Sequence, residues 1–186
     1  MKYTTYHLNW LLEKISQEKE TDYLFFWGHQ ENEQGKITAS CLSQWWPSKF
    51  NVEGVEYYTA EHWMMAQKAQ LFGDKEMKEK ILQAETPLEA KNRGRKVRNF
   101  DPQVWENNRF EIVCKGNFHK FQQHEKLRAF LLSTEQRVLV EASPLDTIWG
   151  IGLSKNNERA TDPKQWRGLN LLGFALMEVR DQLMQT

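Results

Sequence analysis

The chain has 186 residues, 40% of them hydrophobic and 27% charged, with a formal net charge of zero, which fits one globular domain around one core. Zero net charge excludes a protein that holds DNA or RNA chiefly by bulk electrostatics, though not one with a local basic pocket. No apolar run reaches the roughly 18 residues of a membrane span, no apolar signal core opens the chain, and Cys41 and Cys114 make no metal-ligand or redox spacing, so the expected setting is cytoplasmic, without a membrane.

In chain order, Leu8, Leu11, Leu12 and Ile15 recur at helical spacing and predict a helix over 7–18. Tyr23–Trp27 reads as a short strand ending at Gly28, residues 31–36 as a turn around Gly35, and 37–42 as a second strand in a hairpin with the first. Pro47 breaks regular structure, and 50–57 reads as a strand pair around Gly54. Thr59 suits the N-cap of a helix to Phe72, with Gly73 as its stop. Residues 75–83 form a short charged helix. Thr86 and Pro87 open another that runs to Arg93 and stops at Gly94. After the start signal Asp101-Pro102 comes a long helix from Trp105 to Phe121, then a second piece from His124 to Ser133. Residues 137–141 are a compact strand. The loop SPLDTIWGIGLS precedes a last helix over 170–184, with Leu172, Leu176, Val179 and Leu183 on its apolar face. The expected architecture is a helix-rich α+β fold with a few short strands, one domain over 1–186, in which residues 1–20 are an accessory N-terminal helix.

On the predicted helix after Thr59, Glu61, Met64, Met65, Lys68 and Phe72 share one side. A carboxylate and an amine in an apolar stripe cost free energy unless they are paired or solvated in a cleft, and such groups collect at active sites. The stripe equally suits a core edge from which Lys68 reaches water, and the opposite face of Trp63 and Ala66 offers a rival buried side.

Two further segments carry candidate chemistry. In SPLDTIWGIGL, Gly150 and Gly152 flank Ile151 and let backbone approach a ligand, with Asp146 and Trp149 beside them; an ordinary Asp turn gives the same string. In KNRGRKVR, five cations surround Gly94, and Arg93 or Arg95 can clamp a phosphate; a solvated basic face is the plainer account. Eight tryptophans serve core packing or ring stacking. The histidines have no zinc spacing, and no P-loop, GxSxG elbow or dinucleotide fingerprint is present, so neither metal nor cofactor is expected.

Taken together, FFWG (with Phe26 and Gly28), LSQWWPSKF (with Trp45), YYTAEHWMMAQKA, AKNRGRKVR, Trp105 and its helix, KFQQHEKLRAFLLST, and DTIWGIGL before NLLGFALMEVRDQL resemble, in the same order, the NADAR or YbiA-like family. The resemblance covers nearly the whole chain from Tyr23. It implies a helix-rich α+β fold and hydrolysis of an N-glycosidic bond. In some members the substrates are ribosylaminopyrimidine 5′-phosphates of the early riboflavin pathway, cleaved to ribose 5-phosphate. In others ADP-ribose is removed from guanine in nucleosides or nucleic acid.

By the same resemblance, Glu61 matches the essential glutamate and Lys68 the AQK lysine, Gly94 and Arg95 match the GR element, and Trp105, Asp146 and Trp149 match other active-site positions. Ile151 stands where some members have an acid. The implied division of labour has Glu61 stabilising an oxocarbenium-like transition state or activating water, with Asp146 on the ribose hydroxyls or sharing acid/base work. Lys68 binds phosphate or forms an imine, Trp149 or Trp45 stacks on the base, and Arg93 or Arg95 holds phosphate. A third reading is a non-catalytic module for ADP-ribose or NAD.

Overall fold

A computed structural model describes residues 5–17, 20–30 and 36–185. Among them are seven α-helices: α1 (Leu8–Gln17), α2 (Ala60–Leu71), α3 (Lys75–Leu82), α4 (Pro87–Gly94), α5 (Pro102–Gln123), α6 (Glu125–Leu132) and α7 (Leu171–Met184). Four short strands accompany them: β1 (Tyr23–Phe26), β2 (Phe50–Val52), β3 (Val55–Tyr57) and β4 (Val138–Glu141). The expected helix-rich α+β class is what the chain adopts. The turn expected around Gly35 and the last residue of the first predicted helix lie outside the described residues.

The caps read from the sequence set the helix starts. Thr59 accepts the His62 amide at α2, Thr86 the Glu89 amide at α4, and Asp101 the Val104 amide at α5. Helix α2 packs against α3, α4 and α5. It is buried almost all round, on the Met64/Met65 side and the Trp63/Ala66 side alike. Both rival faces of the helical wheel are therefore interior. Two glycines make this possible: a Cβ at Gly94 would lie 2.1 Å from Met65 Sδ, and one at Gly116 would lie 2.2 Å from Trp63 Cδ1.

One expectation is corrected. Residues 37–42 form no strand and no hairpin with β1; Ala39–Leu42 is a 3-10 turn. Its Cys41 and Leu42 side chains are fully buried. The buried amine of Lys120 on α5 donates to the carbonyls of Cys41 (2.7 Å) and Ser43 (2.8 Å), groups that a ladder would otherwise use. Strand β1 instead pairs in parallel with β4, from Tyr23↔Val138 to Phe26↔Glu141. Val138, Leu139 and Val140 are all fully buried, as suits a strand covered on both faces.

Helix α1 is docked on this body. Leu11 has 0% exposure, the Thr5 and Tyr6 amides donate to Glu178 Oε1, and the Tyr6 hydroxyl donates to Asp181 Oδ2.

Candidate active site

Glu61 occupies the first turn of α2, with its amide bonded to the Gln44 carbonyl at 3.0 Å. The residue is 2% exposed, and its Oε1 is buried without a protein hydrogen-bond partner. Opposing influences act on the carboxyl. Burial is the largest and favours the protonated form. Lys91, a hydrogen bond with the Trp45 indole, and Arg95 favour the carboxylate, while Asp146 opposes it. Burial wins, and the group is pushed up from 4.5 to about 7.

A second carboxyl belongs to the same cluster. Glu141 ends β4, and it lies close enough to Glu61, Asp146 and Lys91 to feel each of their charges. Burial, then Asp146 and Glu61, push it from 4.5 to about 8, against Lys91. Its Oε2 is also buried without a protein partner. Sequence reading missed Glu141; the one trace was a carboxylate closing an otherwise apolar strand.

Asp146 holds the loop as well as facing the cluster. Its Oδ1 accepts the amides of Ile148 (2.9 Å) and Trp149 (2.7 Å), so contact with a ligand falls to the other oxygen. Gly150 must be glycine, since a Cβ there would lie 2.8 Å from the Glu141 carbonyl. Gly152 has φ +67°, the left-handed region that favours glycine. Ile151 between them is fully buried, bonded through its backbone to the Glu141 carbonyl and the Arg167 amide. Its side chain is a core element, and the acid that accompanies Glu61 and Asp146 in this chain comes from β4, where Glu141 is partly buried.

The basic stretch divides. Lys91 is half-buried, its Nζ 5.7 Å from the Trp45 ring centre, and it faces both Glu61 and Glu141. Arg95 is exposed and within electrostatic reach of Glu61 and Lys68. Arg93 is engaged elsewhere, with the Glu89 carboxylate and the Lys80 carbonyl. Lys91 was not singled out in the sequence, where nothing distinguished it from its four basic neighbours.

Lys68 lies two turns along α2 from Glu61. Its Nζ donates to the Gly94 carbonyl at 3.0 Å and sits 4.1 Å from the Phe100 ring centre and 5.6 Å from that of Trp105. Burial, and then Arg95, lower its pKa. Phe100, unflagged by the sequence, is thus part of this lysine's surroundings. Trp45 stands between His29 (5.3 Å between ring centres) and Lys91. Trp149 is partly buried against the core. Phe26 is a core residue opposite Glu141, and Gly28 (φ +80°) turns the chain after β1.

The cluster lies at the carboxyl end of the parallel β1–β4 pair. An open hollow lined by Thr21, Asp22, Tyr23 and Asp162 lies at the opposite end, away from these groups. Among the described residues no three His, Cys, Asp or Glu side chains gather as a metal-binding group, and no helix is long and apolar enough to cross a membrane.

Comparison with known proteins bears on this geometry. Residues 25–184 match the NADAR domain. An N-glycosidase of Acanthamoeba polyphaga mimivirus is 42% identical over 172 residues, covering 89% of this chain and 99% of the relative. The N-glycosidase YbiA of Escherichia coli is 36% identical over 138 residues, covering 74% of this chain and 76% of that protein. The solution structure of E. coli YbiA superimposes with a TM-score of 0.69 at 29% identity, covering 91% of this chain and 89% of that one.

Proposed function

The chain belongs to the NADAR domain family, and from that membership we propose that it is an N-glycosidase cleaving the bond between a phosphorylated ribose and an amino-pyrimidine. It is, like its named relatives, a hydrolase of N-glycosyl bonds. The proposed substrates are the ribosylaminopyrimidine 5′-phosphates of early riboflavin synthesis, the product is ribose 5-phosphate, and the setting is the cytoplasm. Residues 1–20 are read as an accessory to the catalytic domain.

The observation that carries this reading is Glu61: a buried carboxyl, unpartnered at Oε1, beside cations suited to phosphate. Glycosyl transfer to water builds positive charge on the sugar, and a desolvated carboxylate stabilises it strongly because little solvent competes. In this reading Glu61 faces the anomeric carbon and Asp146 holds ribose hydroxyls. Lys68 and Arg95 take the 5′-phosphate. Seven residues of helix span about 10 Å, a separation that suits a ribose phosphate with its anomeric carbon at one end and phosphate at the other. Trp45 stacks on the base. The role of Lys68 as phosphate ligand or imine-forming nucleophile is decided by borohydride trapping followed by mass spectrometry.

The test of the central claim is Glu61→Gln. With its fold checked by circular dichroism, release of ribose 5-phosphate should fall by a factor on the order of 10²–10⁴. Near-normal turnover would refute the assignment.

A second reading, removal of ADP-ribose from guanine, is favoured by one observation: Lys91 and Arg95 both bear on Glu61, and two cations suit a diphosphate. Incubation with each substrate class and identification of products by mass spectrometry separates the two. Tight binding of ADP-ribose without turnover of either substrate would indicate a binding module.

A further inference from the structure

We propose that Glu141 is the general acid of this site, its buried carboxyl protonating the departing base nitrogen while Glu61 acts as the ionised partner. The inference rests on the N-glycosidase reading above.

Its basis is the placement of Glu141. The backbone is pinned on both sides: its amide donates to Asn170 Oδ1 at 3.0 Å, and its carbonyl accepts the Ile151 amide at 2.9 Å. Asn170 is itself fixed by donating from Nδ2 to the Leu139 carbonyl at 2.9 Å. These supports come from β4, from the loop carrying Asp146 and from the residue that opens α7. They fix the backbone from which the Glu141 side chain extends. Its Oε2 and Glu61 Oε1 are the carboxyl oxygens, among the described residues, that are buried with no protein partner.

Three carboxyls, those of Glu61, Glu141 and Asp146, lie within electrostatic reach of one another. The cation facing Glu141 is Lys91; Glu61 shares Lys91 and also has Arg95. Like charges in a dry site do not all ionise, so a proton is retained. The surroundings decide where. Glu61 sits at the positive end of α2 and has a hydrogen bond with the Trp45 indole, both of which stabilise its anion. Glu141 has neither, so it keeps the proton.

The C–N bond breaks with its electron pair going to the base nitrogen, which takes the proton from Glu141. Water adds to the anomeric carbon and gives a proton to the Glu61 carboxylate. After product leaves, that proton passes to Glu141, restoring the starting state.

The test pairs two leaving groups. One substrate is a ribosylaminopyrimidine 5′-phosphate, whose leaving nitrogen needs a proton. The other is 4-nitrophenyl riboside 5-phosphate, whose phenolate leaves unaided. Glu141→Gln should lose about 100-fold or more in kcat on the first and stay within about threefold of the parent on the second. Glu61→Gln should lose on both. Equal losses on both substrates for Glu141→Gln, or no loss on either, overturns the assignment.

Carboxyl ¹³C NMR of the unsubstituted protein gives an answer that needs neither turnover nor a folded variant. Glu141 should carry a proton at pH 7. A Glu141 carboxylate already ionised at pH 6 overturns the proposal. If the parent protein cleaves neither substrate while Glu141 holds its proton, the N-glycosidase reading fails and the proton assignment stands.

Discussion

At the residue scale, Glu61 shows how position and burial compete. The start of α2, Lys91 and Trp45 pull toward the anion, and burial pulls harder toward the acid. The folded chain therefore keeps a proton that the unfolded chain releases between pH 4.5 and about 7. Holding Glu61 costs little below that window, and the cost grows as pH rises through it, to on the order of 3 kcal/mol. Glu61→Gln should thus raise Tm at pH 8 relative to the parent and change it little at pH 4.5, even as it removes turnover. Calorimetry at the two pH values checks this, and a lower Tm at pH 8 would contradict it. The cysteines give a second prediction. Cys41 and Cys114 are fully buried, and burial pushes both thiols up, Cys41 to about 11. Both should react with a disulfide reagent at least about 100-fold more slowly in the native protein than in urea.

At the element scale, α5 is the scaffold that holds the turn carrying Trp45. Its Lys120 grips the Cys41 and Ser43 carbonyls, and Asn117 Nδ2 donates to Gln44 Oε1 at 2.8 Å. Gln44 in turn accepts the Glu61 amide through its carbonyl, and Trp45 follows directly. Burial lowers the Lys120 pKa to about 7. An uncharged amine still offers two N–H groups, one for each carbonyl, so the grip survives loss of the proton. Lys120→Met strands both carbonyls in the interior. It should lower Tm and, by loosening Trp45 against Glu61, reduce kcat by about tenfold. Unchanged kcat in a folded Lys120→Met protein would separate this element from the chemistry.

At the scale of the whole molecule, the proposed site draws on pieces distant in the chain: the turn at Trp45, the start of α2, Lys91 on α4, the end of β4 and the Asp146 loop. Helix α1 lies outside the NADAR match, yet its Leu11 is fully buried. Leu11→Ala should cost about 2–5 kcal/mol, read as a lower urea midpoint with the slope unchanged. A change below about 0.5 kcal/mol would show that α1 contributes little to the core.

The sequence by itself determined most of the local structure. Caps at Thr59, Thr86 and Asp101 and the apolar periodicity of α7 are encoded within a few residues, because helix hydrogen bonds and side-chain spacing are local. It also marked Glu61 and Lys68 as polar groups in an apolar stripe, visible because they share one helix. Only the tertiary structure decided which surfaces meet. It made both faces of α2 interior and turned 37–42 into a 3-10 turn gripped by Lys120. It paired β1 with β4 across most of the chain, packed α4 on α2, and so brought Glu141 and Lys91 within electrostatic reach of Glu61. A carboxyl's protonation depends on burial and on charges brought near by packing. Such distances between remote segments leave no periodic trace in the sequence.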